Sequence, residues 1–159
     1  MSLKKIGILG ASGYTGADAV RLLARHPNVE ITALTANTHA GKPMNEVFPH
    51  FFMLDLPRLT EWEKVDWTKL DAVFCGLPHG TTHEIIAAVM AANPAIKILD
   101  MSADFRLRDM SVYAQWYGHE HRAPGFKVKP STASPNSIAK KSRRRGSSRA
   151  LAATQRRRC

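Results

Sequence analysis

Residues 10–16 read Gly10-Ala11-Ser12-Gly13-Tyr14-Thr15-Gly16, and this glycine-rich loop decides the fold prediction. It follows a short apolar run, Lys4 to Gly10, and opens a stretch, Tyr14 to His26, with apolar residues at helical spacing. Glycines at a strand-to-helix turn allow a tight turn, close approach of a pyrophosphate and close packing of helix on strand. The helix N-terminus then offers N–H groups to phosphates. The loop therefore predicts a dinucleotide site, and the alternative is an ordinary glycine turn.

Strand and helix patterns alternate after this loop. Pro27 and Asn28 end the first helix, and the β-branched stretch from Val29 to Ala36 predicts a second strand. After an irregular stretch from Asn37 to Arg58, the pattern predicts a strand at Asp71 to Leu77, a helix at Thr81 to Ala92 and a strand at Ile96 to Met101. Continuous apolar strands that alternate with helices indicate a parallel sheet covered on both faces. The predicted fold class is α/β, a Rossmann-like doubly wound parallel sheet.

The end of the second strand bears on the choice of nicotinamide cofactor. An Asp or Glu at this point would bind a ribose 2′-hydroxyl and repel a 2′-phosphate. Residues 35–42, Thr-Ala-Asn-Thr-His-Ala-Gly-Lys, contain no carboxylate and offer hydroxyls, an amide and a lysine. The segment therefore favours NADP. The alternative is a polar loop without a cofactor role, since the segment has no arginine to clamp a phosphate.

Two polar, turn-forming segments, residues 75–83 and 99–107, directly follow apolar strands. Ligands bind at the carboxyl ends of strands in open α/β sheets, so both are candidate site segments. His79 and His83 have the i, i+4 spacing of a metal pair, but the neighbouring proline and glycine oppose helical geometry at His79. We predict no metal site.

Other polar residues have two readings that the sequence leaves open. Asp100, Asp104 and Arg106 are either a structural ion-pair cluster or ligand contacts. Residues 116–124 form a further polar cluster, and the alternative for it is a solvated loop. Cys75 lies in an apolar run with nothing nearby to activate it, so it is predicted to be a buried strand residue.

Charge divides the chain into two parts. The formal net charge is +10, and eleven of the 23 Lys and Arg lie in residues 125–159, which hold none of the 13 Asp and Glu. We predict a nearly neutral NAD(P)-binding domain at residues 1–124 and a basic, low-complexity tail at residues 125–159, non-native or disordered. Two cysteines fit a reducing compartment, and no signal segment or membrane-spanning run precedes the first strand. A cytoplasmic protein is expected.

Four motifs together make the chain recognisable: residues 10–16, Leu77-Pro78-His79-Gly80, Asp100 to Arg106, and Tyr117-Gly118-His119-Glu120-His121-Arg122-Ala123-Pro124. In this order they resemble motifs of N-acetyl-gamma-glutamyl-phosphate reductase. The resemblance covers residues 3–124, the first part of a longer family chain, and so implies truncation before the catalytic and dimerisation domain. It implies NADPH-dependent reduction of a small acyl phosphate to an aldehyde in arginine biosynthesis, through a cysteine thioester, by a homo-oligomer.

The resemblance also implies roles for individual residues. The pyrophosphate would be held by Gly10, Ser12, Gly13, Tyr14, Thr15 and Gly16. The adenosine ribose would lie near Thr35 and Asn37, and the nicotinamide side would be lined by Leu77, Pro78, His79, Ser102 and Ala103. No catalytic residue carries over, because the family's cysteine lies in a downstream Pro-Gly-Cys-Tyr-Pro segment and Cys159 stands in no such context.

The tail suggests an altered reading frame. When the third base of each codon is read with the first two bases of the next, synonymous codons from Pro130 to Ile138 permit Val-Tyr-Gly-Leu-Thr-Glu-Phe-Tyr. Those from Ala150 to Arg156 permit Pro-Gly-Cys-Tyr-Pro-Thr. Both strings resemble downstream segments of the family. We therefore hypothesise a one-base shift near Pro124 or Gly125.

Two alternatives remain for function. One is a related enzyme, an aspartate-semialdehyde dehydrogenase or an aminoadipate reductase, although the 102–106 and 117–121 motifs fit these less well. The other is a nucleotide-binding module whose arginine runs, residues 143–145 and 156–158, bind nucleic acid. No aromatic residues interleave with these runs to stack on bases, so only non-specific binding to nucleic acid is expected.

Overall fold

The computed structural model describes residues 2–78, 80–102, 131–133 and 151–153. Its strands are β1 (Lys4–Leu9), β2 (Val29–Thr35), β3 (Leu59–Thr60), β4 (Ala72–Cys75), β5 (Lys97–Asp100), β6 (Ser131–Ala133) and β7 (Leu151–Ala153). They form one sheet in the order β3-β2-β1-β4-β5-β7-β6, and every pairing is parallel. The predicted fold class is confirmed. Because β2 and β4 lie on opposite sides of β1, the strand order reverses between β1 and β4. Open α/β sheets bind ligands at such a switch point.

Helices cover both faces of this sheet. Successive residues of a strand point to opposite faces, so each strand contributes side chains to two cores. On one face Ile6 and Ile8 pack with helix α1 (Tyr14–Leu23) and with the short helix α2 (Met44–Val47). On the other face the core includes residues of helix α3 (Thr82–Ala92) and the segment 67–70. Three 3-10 turns, Pro49–Phe51, Trp62–Lys64 and Trp67–Lys69, complete the connections among the described residues.

The predicted elements match the observed ones apart from their ends. The first helix was expected to run to His26 and ends at Leu23, and the strand expected at Asp71 to Leu77 is the four-residue β4. The stretch from Asn37 to Arg58 was expected to be irregular and contains α2 and one 3-10 turn. Among the described residues, no helix is long and apolar enough to span a membrane.

Two segments of the tail join the sheet. Sequence periodicity gave no element beyond Pro124, whereas β6 and β7 extend the sheet from β5, with Leu151 in register with Leu99 and Ala152 with Asp100. The non-native character of the tail stays a prediction.

Asp71, which directly precedes β4, joins the amino ends of β1 and β4. One carboxylate oxygen accepts a hydrogen bond from Lys4 Nζ at 2.7 Å and the other accepts from the Lys5 amide at 2.9 Å. These bonds, the Lys4 bond first, lower the pKa of Asp71. Because the folded pKa is lowered, the stabilisation is present above the ordinary carboxyl pKa and is lost as pH falls through the lowered value.

Asn93 fixes the end of α3 against the segment that follows β3. Its side-chain amide donates to the carbonyl oxygens of Trp67 and Leu70, both at 3.1 Å. An Asn93→Ala variant leaves two partly buried carbonyls without this donor, so we expect the free energy of unfolding to fall by about 1–3 kcal/mol. Urea titration measures the loss, and Asn45→Ala, at an exposed position of α2, is the control. Equal stability of the two variants would contradict the assigned role of Asn93.

Candidate functional site

The glycine-rich loop begins where β1 ends, and Gly10 makes its first turn. Gly10 has a φ of +73°, a left-handed conformation that disfavours any side chain. A Cβ at this position would also lie 3.0 Å from the carbonyl oxygen of Gly76. Gly76 itself follows β4, and its amide donates to the carbonyl oxygen of Leu9 at 2.9 Å. The turns after β1 and β4 therefore lie in direct contact at the carboxyl edge of the sheet.

Helix α1 begins within the same loop. Gly13 is its N-cap, no described side chain caps the helix, and its first turn holds no acidic residue. The Gly13 carbonyl accepts from the Ala17 amide at 2.8 Å, which starts the helical hydrogen bonding. At Gly16 a Cβ would lie 2.7 Å from the Cα of Ala11 and closer still to the backbone of Gly10. Gly16 thus lets the helix pack on the loop, and the positive end of the helix dipole lies beside Gly13.

The end of β2 holds the loop in place. The Thr35 carbonyl accepts from the Ala11 amide at 2.8 Å, and Thr35 Oγ1 accepts from the Gly10 amide at 3.4 Å. The Thr35 side chain is buried, so its hydroxyl supports the loop from behind. The Ala36 amide donates in turn to the Thr60 carbonyl at 2.9 Å, which joins the segment after β2 to β3.

A cleft of about 510 Å³ opens at this carboxyl edge. Its walls are the glycine-rich loop, the segment 35–39 after β2 and the segment 76–78 after β4, together with Trp62, Thr81 and Ile85. The volume is within the range of small-molecule sites, about 300–1,000 Å³. We call this space the switch-point cleft.

The structure brings most of the predicted cofactor residues together around the switch-point cleft. The lining includes Gly10, Ser12, Gly13, Thr35, Asn37, Leu77 and Pro78. The other three predicted residues of the loop form the first turn of α1 and do not line the cleft: Tyr14, Thr15 and Gly16. The Tyr14 side chain is 88% exposed, and its ring centroid lies 6.4 Å from that of Phe48. Two predicted residues, His79 and Ala103, lie outside the described part of the chain.

The comparison with family models decides the family. The model described as semialdehyde dehydrogenase, NAD binding domain, matches residues 5–142. The chain belongs to this family. The glycine-rich loop, the segment 35–39 and the segment 76–78 of the switch-point cleft all lie within the matched part of this NAD-binding domain.

Two curated relatives of this NAD-binding domain share one name. The chain is 59% identical over 122 residues to the N-acetyl-gamma-glutamyl-phosphate reductase of Afipia carboxidovorans, a match that covers 76% of this chain and 35% of the relative. It is 57% identical over 120 residues to the reductase of that name from Rhodospirillum rubrum, with coverage of 74% and 34%. The chain therefore spans about a third of the length of these relatives.

Two solved structures of similar fold are of aspartate semialdehyde dehydrogenases. The enzyme from Candida albicans, in a structure with NADP, superposes with a TM-score of 0.63 at 20% identity, covering 97% of this chain and 43% of that one. Aspartate semialdehyde dehydrogenase II from Vibrio cholerae superposes with a TM-score of 0.63 at 15% identity, and the match covers 97% of this chain and 42% of that one. At these identities the likeness establishes the fold of the NAD-binding domain.

Asp100 and Ser102 are paired at the end of β5. The Asp100 carboxylate accepts from the Ser102 amide at 2.9 Å and from Ser102 Oγ at 2.8 Å, and both side chains are buried. Ser102 does not line the switch-point cleft, so its predicted contact with the cofactor stays a prediction. Of the Asp100, Asp104 and Arg106 group, only Asp100 lies within the described part of the chain.

Cys75 ends β4 and is fully buried, as predicted. Its side chain packs in the core on the α3 face of the sheet. A thiol enclosed in this way cannot reach a substrate in the cleft. No other cysteine lies in the described ranges of this NAD-binding domain.

A second cavity, of about 580 Å³, lies away from the glycine-rich loop. It is lined by the amino half of β2, the end of α1 and the segment 54–57, and two of its residues, Glu30 and Asp55, are acidic. Carboxylates repel phosphates, and the cavity has neither a glycine turn nor a helix N-terminus. The switch-point cleft, although slightly smaller, is the better candidate for a nucleotide.

Trp62 and Ile85 line the switch-point cleft and were not singled out from the sequence. Trp62 lies in a 3-10 turn that follows the two-residue strand β3. Elements this short have no measurable periodicity, so only the aromatic character of Trp62 could have drawn attention to it.

Proposed function

We propose that this chain is the nucleotide-binding part of an N-acetyl-gamma-glutamyl-phosphate reductase and that it binds NADP(H) in the switch-point cleft. The observation that carries the proposal is the convergence of the glycine-rich loop, the polar segment after β2 and the segment after β4 on one cleft. The relatives at 59% and 57% identity support the choice of enzyme over the aspartate and aminoadipate alternatives.

The residues of the cleft fit a dinucleotide. Gly13 is exposed on the cleft, and the uncapped helix N-terminus beside it provides a partial positive charge for a pyrophosphate. Ser12 adds a hydroxyl to the same region, and Asn37 offers an amide beyond the end of β2, where a ribose would bind. These side chains would bind and orient the dinucleotide, while the core behind them excludes water.

The complete enzyme would use NADPH as the source of the hydride that reduces N-acetyl-gamma-glutamyl phosphate to the semialdehyde. The chain itself is proposed to bind the nucleotide without turnover. Cys75 is buried, and Cys159 follows three consecutive arginines. A thiolate nucleophile needs access and an activating environment. Cys75 lacks access, and Cys159 lacks the Pro-Gly-Cys-Tyr-Pro segment in which the nucleophile of the family lies.

The proposed change of reading frame introduces a cysteine codon into the tail. In the shifted frame a cysteine codon would combine the third base of Ala152 with the first two bases of Ala153. Both residues belong to β7, and Ala152 is in register with Asp100, the last residue of β5. Sequencing the DNA tests this proposal, and codons that do not encode Pro-Gly-Cys-Tyr-Pro-Thr in the shifted frame would overturn it.

We propose a cytoplasmic location, a small acyl phosphate as the substrate of the complete enzyme, and homo-oligomers formed by it. The basic tail is proposed to bind nucleic acid only through non-specific charge. Its retention on heparin should therefore fall steeply with salt. Retention that is unchanged when residues 125–159 are deleted would contradict this.

The chain should prefer NADPH to NADH. No carboxylate stands in residues 35–42 to repel a 2′-phosphate. We expect roughly tenfold tighter binding of NADPH, a difference of about 1.4 kcal/mol. Titration followed by nucleotide fluorescence measures both affinities at one salt concentration. Equal or reversed affinities would refute the NADP assignment.

A further inference from the structure

One end of the switch-point cleft lies between two segments that are distant in sequence. Thr38 and His39 follow β2, whereas Trp62 follows β3, and all three line the cleft. The pairing of β2 with β3, with Thr35 in register with Thr60, brings these segments to the same edge of the sheet. This end lies beyond Asn37, on the side of the cleft where adenosine binds in such folds.

Trp62 is held in position by its backbone and by the core. Its carbonyl oxygen accepts from the Trp67 indole N–H at 3.2 Å and from the Val65 amide at 3.4 Å. Its partly buried side chain packs against the core on the α3 face, as does Ile85. The cleft therefore has an ordered aromatic wall, and an aromatic ring is suited to contact a flat base.

The segment that carries His39 is also ordered. The Gly41 amide donates to the Leu59 carbonyl at 2.7 Å, and the Arg58 guanidinium donates to the Gly41 carbonyl at 3.0 Å. Thr38 Oγ1 lies 3.2 Å from His39 Nδ1. When the hydroxyl donates to Nδ1, the ring proton lies on Nε2, which is then a donor. Arg58 does not line the cleft, so the imidazole is the nearer candidate for a phosphate.

We propose that Trp62 contacts the adenine base and that His39, assisted by Thr38, contacts the 2′-phosphate of NADP(H). These residues would determine the cofactor specificity of the site in place of an arginine clamp. The inference rests on the proposed function, because it assumes that the switch-point cleft is the nucleotide site.

The test measures the binding of 2′,5′-ADP and 5′-AMP to the full 159-residue chain by calorimetry. These ligands differ only in the 2′-phosphate, so the ratio of their affinities reports its recognition. Trp62→Leu should weaken both ligands equally, by about tenfold, within the range found for loss of base stacking. Trp62→Phe, which keeps an aromatic ring, should stay within about threefold of the wild type.

His39 should affect only the 2′-phosphate. His39→Glu should lower the affinity for 2′,5′-ADP by about tenfold or more and leave the affinity for 5′-AMP nearly unchanged, since a carboxylate repels the 2′-phosphate. His26→Ala, an exposed histidine at the opposite edge of the sheet, is the control and should alter neither ligand. Thermal unfolding of each variant identifies losses that come from misfolding.

The outcomes separate this inference from the proposed function. One outcome is that a Gly13 variant abolishes NADPH binding while His39→Glu and Trp62→Leu leave the affinities for both adenosine ligands unchanged. In that case the cleft is the nucleotide site and the present inference is wrong. If the folded wild-type chain binds neither nucleotide, the proposed function is wrong and the inference fails with it. A loss with Trp62→Leu that Trp62→Phe restores, together with a selective loss with His39→Glu, supports both assignments.

Discussion

Replacing Gly13 with valine is expected to lower the affinity for NADPH by more than about tenfold, or about 1.4 kcal/mol, and to leave the melting temperature nearly unchanged. A Cβ at Gly13 would meet only the Gly10 carbonyl oxygen, at an ordinary contact distance of 3.4 Å. Its φ of −87° suits any residue. The protein therefore tolerates a side chain there, but this side chain would occupy the space in which the pyrophosphate must approach the backbone.

Gly16→Ala is the matched control, because it adds a side chain three residues further along the same loop. Its Cβ would lie 2.7 Å from the Ala11 Cα, so helix and loop must separate. We expect Gly16→Ala to lower the melting temperature, with a cost of about 1–3 kcal/mol typical of overpacking. Fluorescence titration of NADPH and thermal unfolding of both variants separate ligand approach from packing. Undiminished NADPH binding by a folded Gly13→Val chain would refute the assignment of the loop.

The sequence was most informative where long-range packing and local pattern agree. β1, the glycine-rich loop and α1 were predicted together, because an apolar run, three glycines and a helical repeat stand in direct succession. β3 could not be predicted in the same way, since Leu59–Thr60 is a two-residue strand that exists only through its pairing with β2. Short elements of this kind are set by tertiary contacts.

The candidate site was predictable to the extent that it follows from sheet topology. Thr35 and Leu77 lie at the carboxyl ends of predicted parallel strands and Asn37 follows one, so their convergence at one edge required only the strand order. Trp62 could not be placed without β3. The hydrogen bond between Ser102 and Asp100 could not be predicted from the sequence either, because side-chain hydrogen bonds at a strand end depend on the detailed path of the backbone.

The purified 159-residue chain should show no phosphate-dependent reduction of NADP by N-acetylglutamate semialdehyde. In the mechanism that the resemblance implies, hydride is transferred from a thiol-bound aldehyde held against the nicotinamide. This covalent step cannot take place when the thiol is absent or misplaced. Cys75 is fully buried in β4, and Cys159 does not stand in the Pro-Gly-Cys-Tyr-Pro segment of the family. We therefore expect activity below detection in an assay of NADPH absorbance, although NADPH itself binds.

Restoring the shifted frame through the complete downstream sequence should recover the reaction. The shifted frame changes the whole tail after the shift, and it takes a cysteine codon from the last base of Ala152 and the first two bases of Ala153. Changing that new cysteine codon to serine in the restored protein should abolish turnover and preserve NADPH binding, because the proposed nucleotide site, the switch-point cleft, is lined by residues between Leu9 and Ile85. Turnover by the original chain that is lost with Cys159→Ser would overturn both the reading-frame proposal and the exclusion of that cysteine.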